Sequence, residues 1–236
     1  EAVSIPSSDI PYYPPSGVPG HSGRIVLGHV AADGGQSAQL IVFQGRKHFY
    51  ESGTLDPVVF PVYLAAALGV TMLIVTNAAG GINKSFRPGD LMLIKDVFNF
   101  AFIRLPGKSP NQIRDCYTPD PAVEQALREN ALKAGLKLQE GTYCWLKGPS
   151  YETAAEIEML SRLGVDAVGM STVPELSHAA SLGLRTAGLS LISNLGTGIT
   201  GQKLSHNEVT ETASKVKQLF STLLRTTLVS ISPQPA

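Results

Sequence analysis

The stretch from Pro57 to Asn83 contains no charged side chain, so it must either cross a membrane or lie in the interior of a folded protein. It is long enough to cross a bilayer as a helix. Its composition changes along the way, however. An Ala- and Leu-rich part ends at Gly69, and a β-branched part, 71–76, precedes a pair of glycines. We therefore predict a buried helix, a tight turn and a buried parallel strand rather than a transmembrane helix.

Other parts of the chain carry signals for the start and end of helices. Asp120 followed by Pro121 is typical of a helix N-terminus, and Gly135 is placed to end that helix. A capping box at 153–156 predicts a helix that runs to Gly164, and a similar box at 205–208 predicts the last helix.

Short apolar segments alternate with these helices. The alternation predicts an α/β fold, with a central mixed, mostly parallel sheet flanked by helices on both faces, in a single domain spanning residues 1–236. The proline-rich first twenty residues are expected to form an extended surface segment. The predicted strands are Arg24–Val30, Gln39–Phe43, Thr71–Thr76, Leu91–Lys95, Gly141–Leu146, Asp166–Gly169 and Leu184–Ser193.

The charge and cysteine content argue against several classes of protein. The chain has 19 basic and 19 acidic residues and no cluster of Lys and Arg, which argues against a nucleic-acid partner. Its 236 residues are 43% hydrophobic, which is enough to form a core. Cys116 and Cys144 are too few for a disulfide framework, and no secretory signal opens the sequence. We expect reduced thiols and a cytoplasmic protein.

Ligands of parallel α/β sheets bind beyond the carboxyl ends of the strands, so polar residues directly after strands are candidate site residues. Arg46 and His48 follow a predicted strand. They could bind an anion, with Glu51 holding the imidazole, or belong to a solvated loop. Small residues at 76–81 could bring main-chain N–H groups to an anion or form a plain tight turn.

Two further segments precede predicted helices. Glu152 stands next to the N-cap Thr153 and is not needed as a cap. Its carboxylate could accept N–H donors from a heterocycle or simply favour the helix dipole. Ser171 could place its hydroxyl and N–H group at an anion, or it and Thr172 could cap the following helix. Taken singly, these segments leave both interpretations open.

One motif in the sequence is misleading. Residues 196–201 match the dinucleotide pattern G-x-G-x-x-G, but no helix start follows directly and no acidic residue stands about 20 positions further on. The sequence has no Walker lysine loop, and its His and Cys residues lack zinc-site spacing. We therefore expect neither a metal nor an organic cofactor. His21 and His178 are interpreted as structural.

Taken together, in this order and spacing, several segments resemble the trimeric, low-molecular-mass class of purine nucleoside phosphorylases over nearly the whole chain. They are Val18–Gly23, Gln44–Glu51, Thr76–Gly81, Gly148–Glu152, Gly164–Glu175, and Ser193–Asn194 with Ser205–His206. The resemblance implies phosphorolysis of purine (deoxy)ribonucleosides to free base and (deoxy)ribose 1-phosphate, in purine salvage. It also implies inorganic phosphate as co-substrate and a homotrimer.

Position in the motifs implies a role for each site residue, and the residues implied to be catalytic are Asn194, Glu152 and His48. The residues implied to bind phosphate are Arg46, His48, Ala78 (through its N–H) and Ser171. Those implied to bind the ribose are Tyr50, Met170 and His206. Those implied to bind the purine are Ala79, Gly80, Tyr151, Glu152 and Asn194.

The resemblance also bears on the choice of purine. Glu152 would accept a hydrogen bond from N1–H of a 6-oxopurine, and Asn194 would donate to N7. The related methylthioadenosine phosphorylases carry Asp at the position of Asn194. Inosine and guanosine are therefore the expected substrates. A methylthioadenosine phosphorylase and a non-catalytic nucleoside-binding relative are the alternatives.

Four features depart from the family pattern and are the best support for a non-catalytic relative. The family's early Gly-Ser-Gly phosphate loop would have to precede Glu1. Ser52 is inserted after Glu51, and Val97 stands where many members have His. The region 102–119 is shortened. In the family this region supplies an aromatic residue to the neighbouring subunit, and none is assigned here.

Overall fold

In the computed structural model the described residues are 2–31, 37–106, 117–199 and 206–232, with the side chains of 206–210 excepted. The N-terminal part forms a small antiparallel sheet. Strands β1 (Val3–Pro6), β2 (Arg24–Ala31) and β3 (Ser37–Gln44) follow one another in space as they do in sequence. The predicted extended surface segment is extended at Val3–Pro6, which pairs with β2 as an edge strand, but it turns into a short 3-10 helix at Ser7–Asp9.

The other five strands of the described chain close into a barrel. They are β4 (Met72–Gly81), β5 (Leu91–Asn99), β6 (Leu138–Trp145), β7 (Ala167–Gly169) and β8 (Arg185–Leu195), in the order β4-β7-β6-β5-β8. Three neighbouring pairs are parallel, β4–β8, β5–β6 and β6–β7, and two are antiparallel, β4–β7 and β5–β8. The predicted α/β fold with a mixed, mostly parallel sheet is confirmed. The closure of this sheet into a barrel was not predicted.

The helices begin near their predicted signals. Oδ1 of Asp120 accepts the N–H groups of Ala122 at 3.1 Å and Val123 at 3.0 Å, and Thr153 forms the expected capping box with Glu156. The capping box predicted at 205–208 lies outside the described part of the chain, since Ser205 is not among the described residues and the side chains of 206–208 are excepted. The helices are α1 (Phe49–Ser52), α2 (Asp56–Ala67), α3 (Pro121–Lys133), α4 (Ala154–Arg162), α5 (Val173–Ser181) and α6 (His206–Ile231).

The uncharged stretch becomes α2 and β4, as predicted, and none of the helices in the described ranges is long and apolar enough to cross a membrane. The segment 76–81 is not the tight turn that was one of its two interpretations. It continues β4 to Gly81, with one irregularity between Ala79 and Gly80. A Cβ on Gly81 would lie 2.9 Å from Ile192, so close strand packing requires glycine there.

Asp166 joins three strands at the end of the barrel where β4 finishes. Its Oδ1 accepts from Asn83 Nδ2 at 2.8 Å and its Oδ2 from the N–H of Thr142 at 2.8 Å. Its main-chain oxygen accepts from the N–H groups of Ile82 and Asn83. Asp166, the residue directly before β7, thus connects the end of β4 to β6. The short strand β7 makes few ladder hydrogen bonds of its own at this point.

Both faces of the barrel strands are buried, which is why these strands read as continuous apolar runs. Along β5, Met92 and Ile94 pack in a cluster with Leu176 of α5, whereas Leu91 and Leu93 pack in a second cluster. The second cluster includes residues of α3 and α6. Helices therefore cover both faces. The candidate site residues lie mostly after β3, β6 and β7, and others lie at the ends of β4 and β8.

Candidate active site

Arg46 is held by residues from two separate parts of the chain. Its Nη2 donates to the carbonyl of Thr76 in β4. Its Nη1 lies 3.3 Å from Oγ of Ser171, 3.2 Å from Oγ1 of Thr172 and 2.9 Å from Oε2 of Glu175. The side chain is only 18% exposed. A buried guanidinium of this kind is suited to binding an anion.

Ser171 and Thr172 form an unusual turn between β7 and α5. Thr172 is fully buried at φ +80° and ψ −53°, and the N–H of Val173 donates to the carbonyl of Ser171 at 2.9 Å. This is a three-residue γ-turn of the rare, strained kind. A β-branched residue in this region of backbone space costs on the order of 1–3 kcal/mol, so neighbouring contacts must hold it.

The hydroxyl groups of this turn lie in one polar cluster. Oγ1 of Thr172 lies 3.2 Å from Arg46 Nη1 and accepts, at 2.9 Å, from Nδ2 of Asn77. It lies 3.1 Å from Oγ of Ser171, and either hydroxyl can be the donor of this pair. When Thr172 donates, the Ser171 hydrogen is left for a bound anion or for the buried hydroxyl of Tyr143 beside it. An anion is the stronger acceptor of the two.

His48 is fixed by Glu51, as the sequence led us to expect. Oε1 of Glu51 accepts the main-chain N–H of His48 at 2.7 Å and lies 3.1 Å from its Nδ1. Oε2 accepts the N–H of Gly17 at 2.9 Å and lies 3.2 Å from Nζ of Lys47. Burial alone would raise the pKa of Glu51, but these hydrogen bonds lower it to about 2.

Burial and the charge of Arg46 lower the pKa of His48 to about 4, so the imidazole is neutral at pH 7. Since Nδ1 faces a carboxylate, the tautomer with hydrogen on Nδ1 is favoured and Nε2 is left without a proton. A dianion bound beside Arg46 would raise the pKa of His48 by adding opposite charge. The ring is therefore suited to exchange a proton with a phosphate ligand.

Tyr50 and Met170, the residues expected to bind the ribose, meet around Gly148. The Tyr50 ring stacks on His48 with centroids 5.0 Å apart. A Cβ on Gly148 would overlap Sδ of Met170 and lie 2.9 Å from Cδ1 of Tyr50, and its φ of +67° also favours glycine. Burial, Glu51 and Tyr151 all raise the pKa of Tyr50, which places Tyr151 on the same side of the site.

The residues expected to bind the purine lie at the ends of β4 and β8 and in the loop that follows β6. Asn194 pairs with Gly80 across β8 and β4, and a Cβ on Gly80 would lie 3.5 Å from Nδ2 of Asn194. Glu152 is half-buried. Its pKa is raised, mainly by burial and also by the negative charge of Glu156. Glu152 is not part of the α4 cap, since Glu156 accepts the N–H of Thr153 at 2.7 Å.

The comparisons with known proteins agree with this geometry. The family model of the phosphorylase superfamily matches residues 1–229. Purine nucleoside phosphorylase 1 of Geobacillus stearothermophilus is 45% identical over 227 residues, covering 93% of this chain and 81% of the relative. The corresponding protein of Bos taurus is 40% identical over 247 residues, covering 98% of this chain and 84% of the relative.

The chain belongs to the purine nucleoside phosphorylase family. It is accordingly an enzyme of the phosphorylase class. Solved structures of the Schistosoma mansoni purine nucleoside phosphorylase share its fold. The complex with inosine is 30% identical with a TM-score of 0.84, covering 100% of this chain and 86% of that one. The complex with adenosine is also 30% identical, with a TM-score of 0.85, and covers 99% of this chain and 85% of that one.

Two expectations from the family pattern fall outside what the structure describes. His206 is the first residue of α6, but its side chain is not among those described. Residues 107–116 of the shortened region are likewise not described. Val97, which stands where many members of the family have His, lies within β5.

Sequence reasoning did not place His21, which we interpreted as structural, next to His48. Its ring stacks on His48 with centroids 5.2 Å apart, and its Nδ1 lies 2.8 Å from the carbonyl oxygen of Arg46. Burial lowers its pKa, and the Arg46 charge contributes. Its place in the matched segment Val18–Gly23 was a signal that could have identified it. His178 fits the structural interpretation, since its Nδ1 lies 2.8 Å from the carbonyl oxygen of Pro174.

Asn77 and Glu175 also belong to the site although neither was assigned a role. Both touch Thr172, and both lie inside segments that match the family. Oδ1 of Asn77 is buried and has no hydrogen-bond partner within the described chain. Across the same residues, no group of three or more His, Cys, Asp or Glu side chains is arranged to hold a metal ion.

Proposed function

We propose that this chain catalyses phosphorolysis of purine (deoxy)ribonucleosides in purine salvage, with a preference for the 6-oxopurines inosine and guanosine. The products are the free base and (deoxy)ribose 1-phosphate. One observation carries the proposal. Arg46 lies 3.3 Å from the Ser171 hydroxyl, His48 stacks on Tyr50, and Tyr50 and Met170 both lie next to Gly148. This proximity supports an anion site formed by Arg46, His48 and Ser171 with a sugar site beside it.

In the proposed reaction, phosphate oxygen forms a bond to the anomeric carbon as the bond from that carbon to the purine nitrogen breaks. The electron pair of the broken bond leaves with the purine, and the sugar has oxocarbenium character in between. Arg46, His48, the Ala78 N–H and Ser171 would hold the phosphate. Fixed donors and charges of this kind stabilise the transition state without reorganisation.

The ribose would lie against Tyr50 and Met170, with His206 at its 5′-hydroxyl. The purine would lie against Tyr151, Ala79 and Gly80. Glu152 would accept from N1–H, and Asn194 would donate to N7 as negative charge develops on the leaving base. This last hydrogen bond becomes stronger in the transition state than in the bound substrate, which is the condition for it to accelerate the chemical step.

The preference for 6-oxopurines depends on Asn194 and Glu152 together. A 6-aminopurine lacks the N1–H that Glu152 would accept, so a buried carboxylate would lose its partner, at a cost of about 1–3 kcal/mol. The Schistosoma mansoni enzyme has been solved in complex with inosine and with adenosine, so a relative binds both kinds of purine.

The proposal includes inorganic phosphate as the second substrate, no further cofactor, a cytoplasmic homotrimer, and neither nucleic acid nor membrane as a partner. The trimer rests on the family resemblance, and the absence of a cofactor rests on the lack of nucleotide-binding and zinc motifs in the sequence. The cytoplasmic location rests on the cysteine content of the sequence, and Cys144 is a buried free thiol. Sedimentation of the purified protein tests the trimer directly.

The test is release of free base from inosine, guanosine, adenosine and methylthioadenosine, each with and without phosphate. We expect release from inosine and guanosine only when phosphate is present. Preferential turnover of the 6-aminopurine nucleosides would contradict the specificity and favour a methylthioadenosine phosphorylase. Binding of nucleosides without turnover would contradict the proposed reaction altogether.

A further inference from the structure

Glu175 connects two parts of the anion site through a single oxygen atom. Its Oε2 lies 2.9 Å from Nη1 of Arg46 and also accepts the N–H of Thr172 at 2.9 Å. The residue is 8% exposed and is the third residue of α5. The oxygen therefore lies between the arginine that follows β3 and the turn that follows β7.

Each of these contacts answers a physical need. A guanidinium that is 18% exposed is costly to bury without a counter-charge, and Glu175 supplies one. The Thr172 turn stores strain and needs its N–H group bound. Glutamate and glutamine can serve the Thr172 N–H equally well, because either can accept an N–H bond at the start of a helix. Only the carboxylate of glutamate supplies a counter-charge to Arg46.

We propose that Glu175 is a positioning residue for phosphate, an inference that rests on the proposed phosphorolysis. Glu175 acts through Arg46 and Thr172 rather than by contact with the phosphate. Its oxygen holds the guanidinium against the Ser171 and Thr172 hydroxyls before the anion arrives. Phosphate then meets donors already in place, and the ordering cost of binding is reduced.

A second carboxylate in the chain provides a matched control. Glu156 occupies the equivalent third position of α4, and its Oε2 accepts the N–H of Thr153 at 2.7 Å. Within the described chain it has no Arg or Lys partner. Glu175→Gln and Glu156→Gln therefore make the same chemical change in the same kind of helix cap, but only the first removes a counter-charge from an arginine.

The experiment measures the KM for phosphate, the KM for inosine, the thermal midpoint and phosphate affinity by calorimetry in both variants and in the wild type. We expect Glu175→Gln to raise the KM for phosphate about 10-fold or more, with the KM for inosine within about 3-fold. We expect Glu156→Gln to leave the KM for phosphate unchanged. Glu175→Asp keeps the charge and should recover part of the loss.

Three results would overturn the inference. The first is an unchanged KM for phosphate in Glu175→Gln, with both variants merely less stable, since that is the result of a structural cap. The second is tighter phosphate binding in Glu175→Gln, which would mean that the carboxylate chiefly repels the anion. The third is Glu175→Asp no better than Glu175→Gln.

The same measurements separate this inference from the proposed function. If the wild type shows no phosphate-dependent turnover, the proposed function fails. Calorimetry with inorganic phosphate then still decides the role of Glu175. Weaker phosphate binding in Glu175→Gln than in the wild type and Glu156→Gln would support it, and equal binding in all three would overturn it.

Discussion

The hydroxyl of Ser193 donates a hydrogen bond of 2.7 Å to Oδ1 of Asn194. This contact orients the amide, because the oxygen of Asn194 faces Ser193 and the nitrogen faces the other way. Nδ2 donates one hydrogen to the carbonyl of Leu195 at 3.2 Å, which leaves its second hydrogen for a ligand. Ser193 thus helps to present Asn194 as a donor, which is the property expected to matter for purine recognition.

Removing the Ser193 hydroxyl should weaken discrimination between purines. In Ser193→Ala the Asn194 amide loses a bond worth about 1 kcal/mol and can rotate to present its oxygen instead. We expect the ratio of kcat/KM for inosine to that for adenosine to fall about 5-fold. Ser190→Ala is the control, because the Ser190 hydroxyl on the same strand is buried without a partner among the described residues. Equal effects of the two substitutions would contradict this role.

Asn194 itself is expected to act mainly in the transition state. Asn194→Ala should therefore lower kcat for inosine about 10²-fold and raise the KM for inosine by much less, since the lost bond strengthens as charge develops on the base. Steady-state kinetics at saturating phosphate provides the measurement. A kcat equal to that of the wild type would rule out this role.

His48 should make folding stability depend on pH. The pKa of His48 in the folded chain is about 4, below the ordinary value of 6.5. Between these two pH values the unfolded chain binds a proton at His48 and the folded chain does not. Stability contributed by neutral His48 is present above pH 6.5 and is lost as the pH falls towards 4. The slope should reach about 1.4 kcal/mol per pH unit for this one group.

Urea unfolding of wild type and His48→Gln at several pH values between 4.5 and 7 measures this effect. The slope should become smaller in the variant but not vanish, because burial lowers the pKa of His21 and His178 in the same direction. His29→Gln, at an exposed position on β2, is the control. Identical slopes in wild type and His48→Gln would show that His48 titrates normally.

Gly148 should control access of the sugar to its site. In Gly148→Ala the new methyl group overlaps Met170 and crowds Tyr50, so we expect the KM for inosine to rise about 10-fold with little change in the KM for phosphate. Gly164→Ala separates this effect from backbone strain. Its φ is +82° and nothing lies within 4 Å of the added Cβ, so Gly164→Ala should lose about 1 kcal/mol of stability from strain alone. Gly148→Ala should lose more, because its methyl group also overlaps Met170, and only Gly148→Ala should affect the KM.

Much of the fold could be predicted from short-range patterns. The cap at Asp120, the box at Thr153–Glu156 and the change of composition at Gly69 all act over a few residues, and each appears in the structure close to where it was expected. Arg46, His48 and Ser171 were identified for a related reason. Residues directly after strands end up near the carboxyl edge of a sheet whatever the order of the strands.

Closure of the barrel and the details of the site could not be predicted in this way. The extension of β4 through Gly81 depends on β7 and β8 being beside it, and a row of small residues is equally compatible with a turn. The stacking of His21 on His48 and the shared oxygen of Glu175 join residues that are far apart in sequence.

The sequence by itself determined the capped helices, the apolar strands and the polar residues that follow them, because those properties depend on local hydrogen bonding and on the period of apolar residues. It did not predict β1 or α1. Only the tertiary structure decided that one carboxylate serves both Arg46 and Thr172, and that Ser193 orients Asn194. Such contacts depend on distances of a few ångströms between separately formed elements, and these distances are set by the packing of the whole barrel.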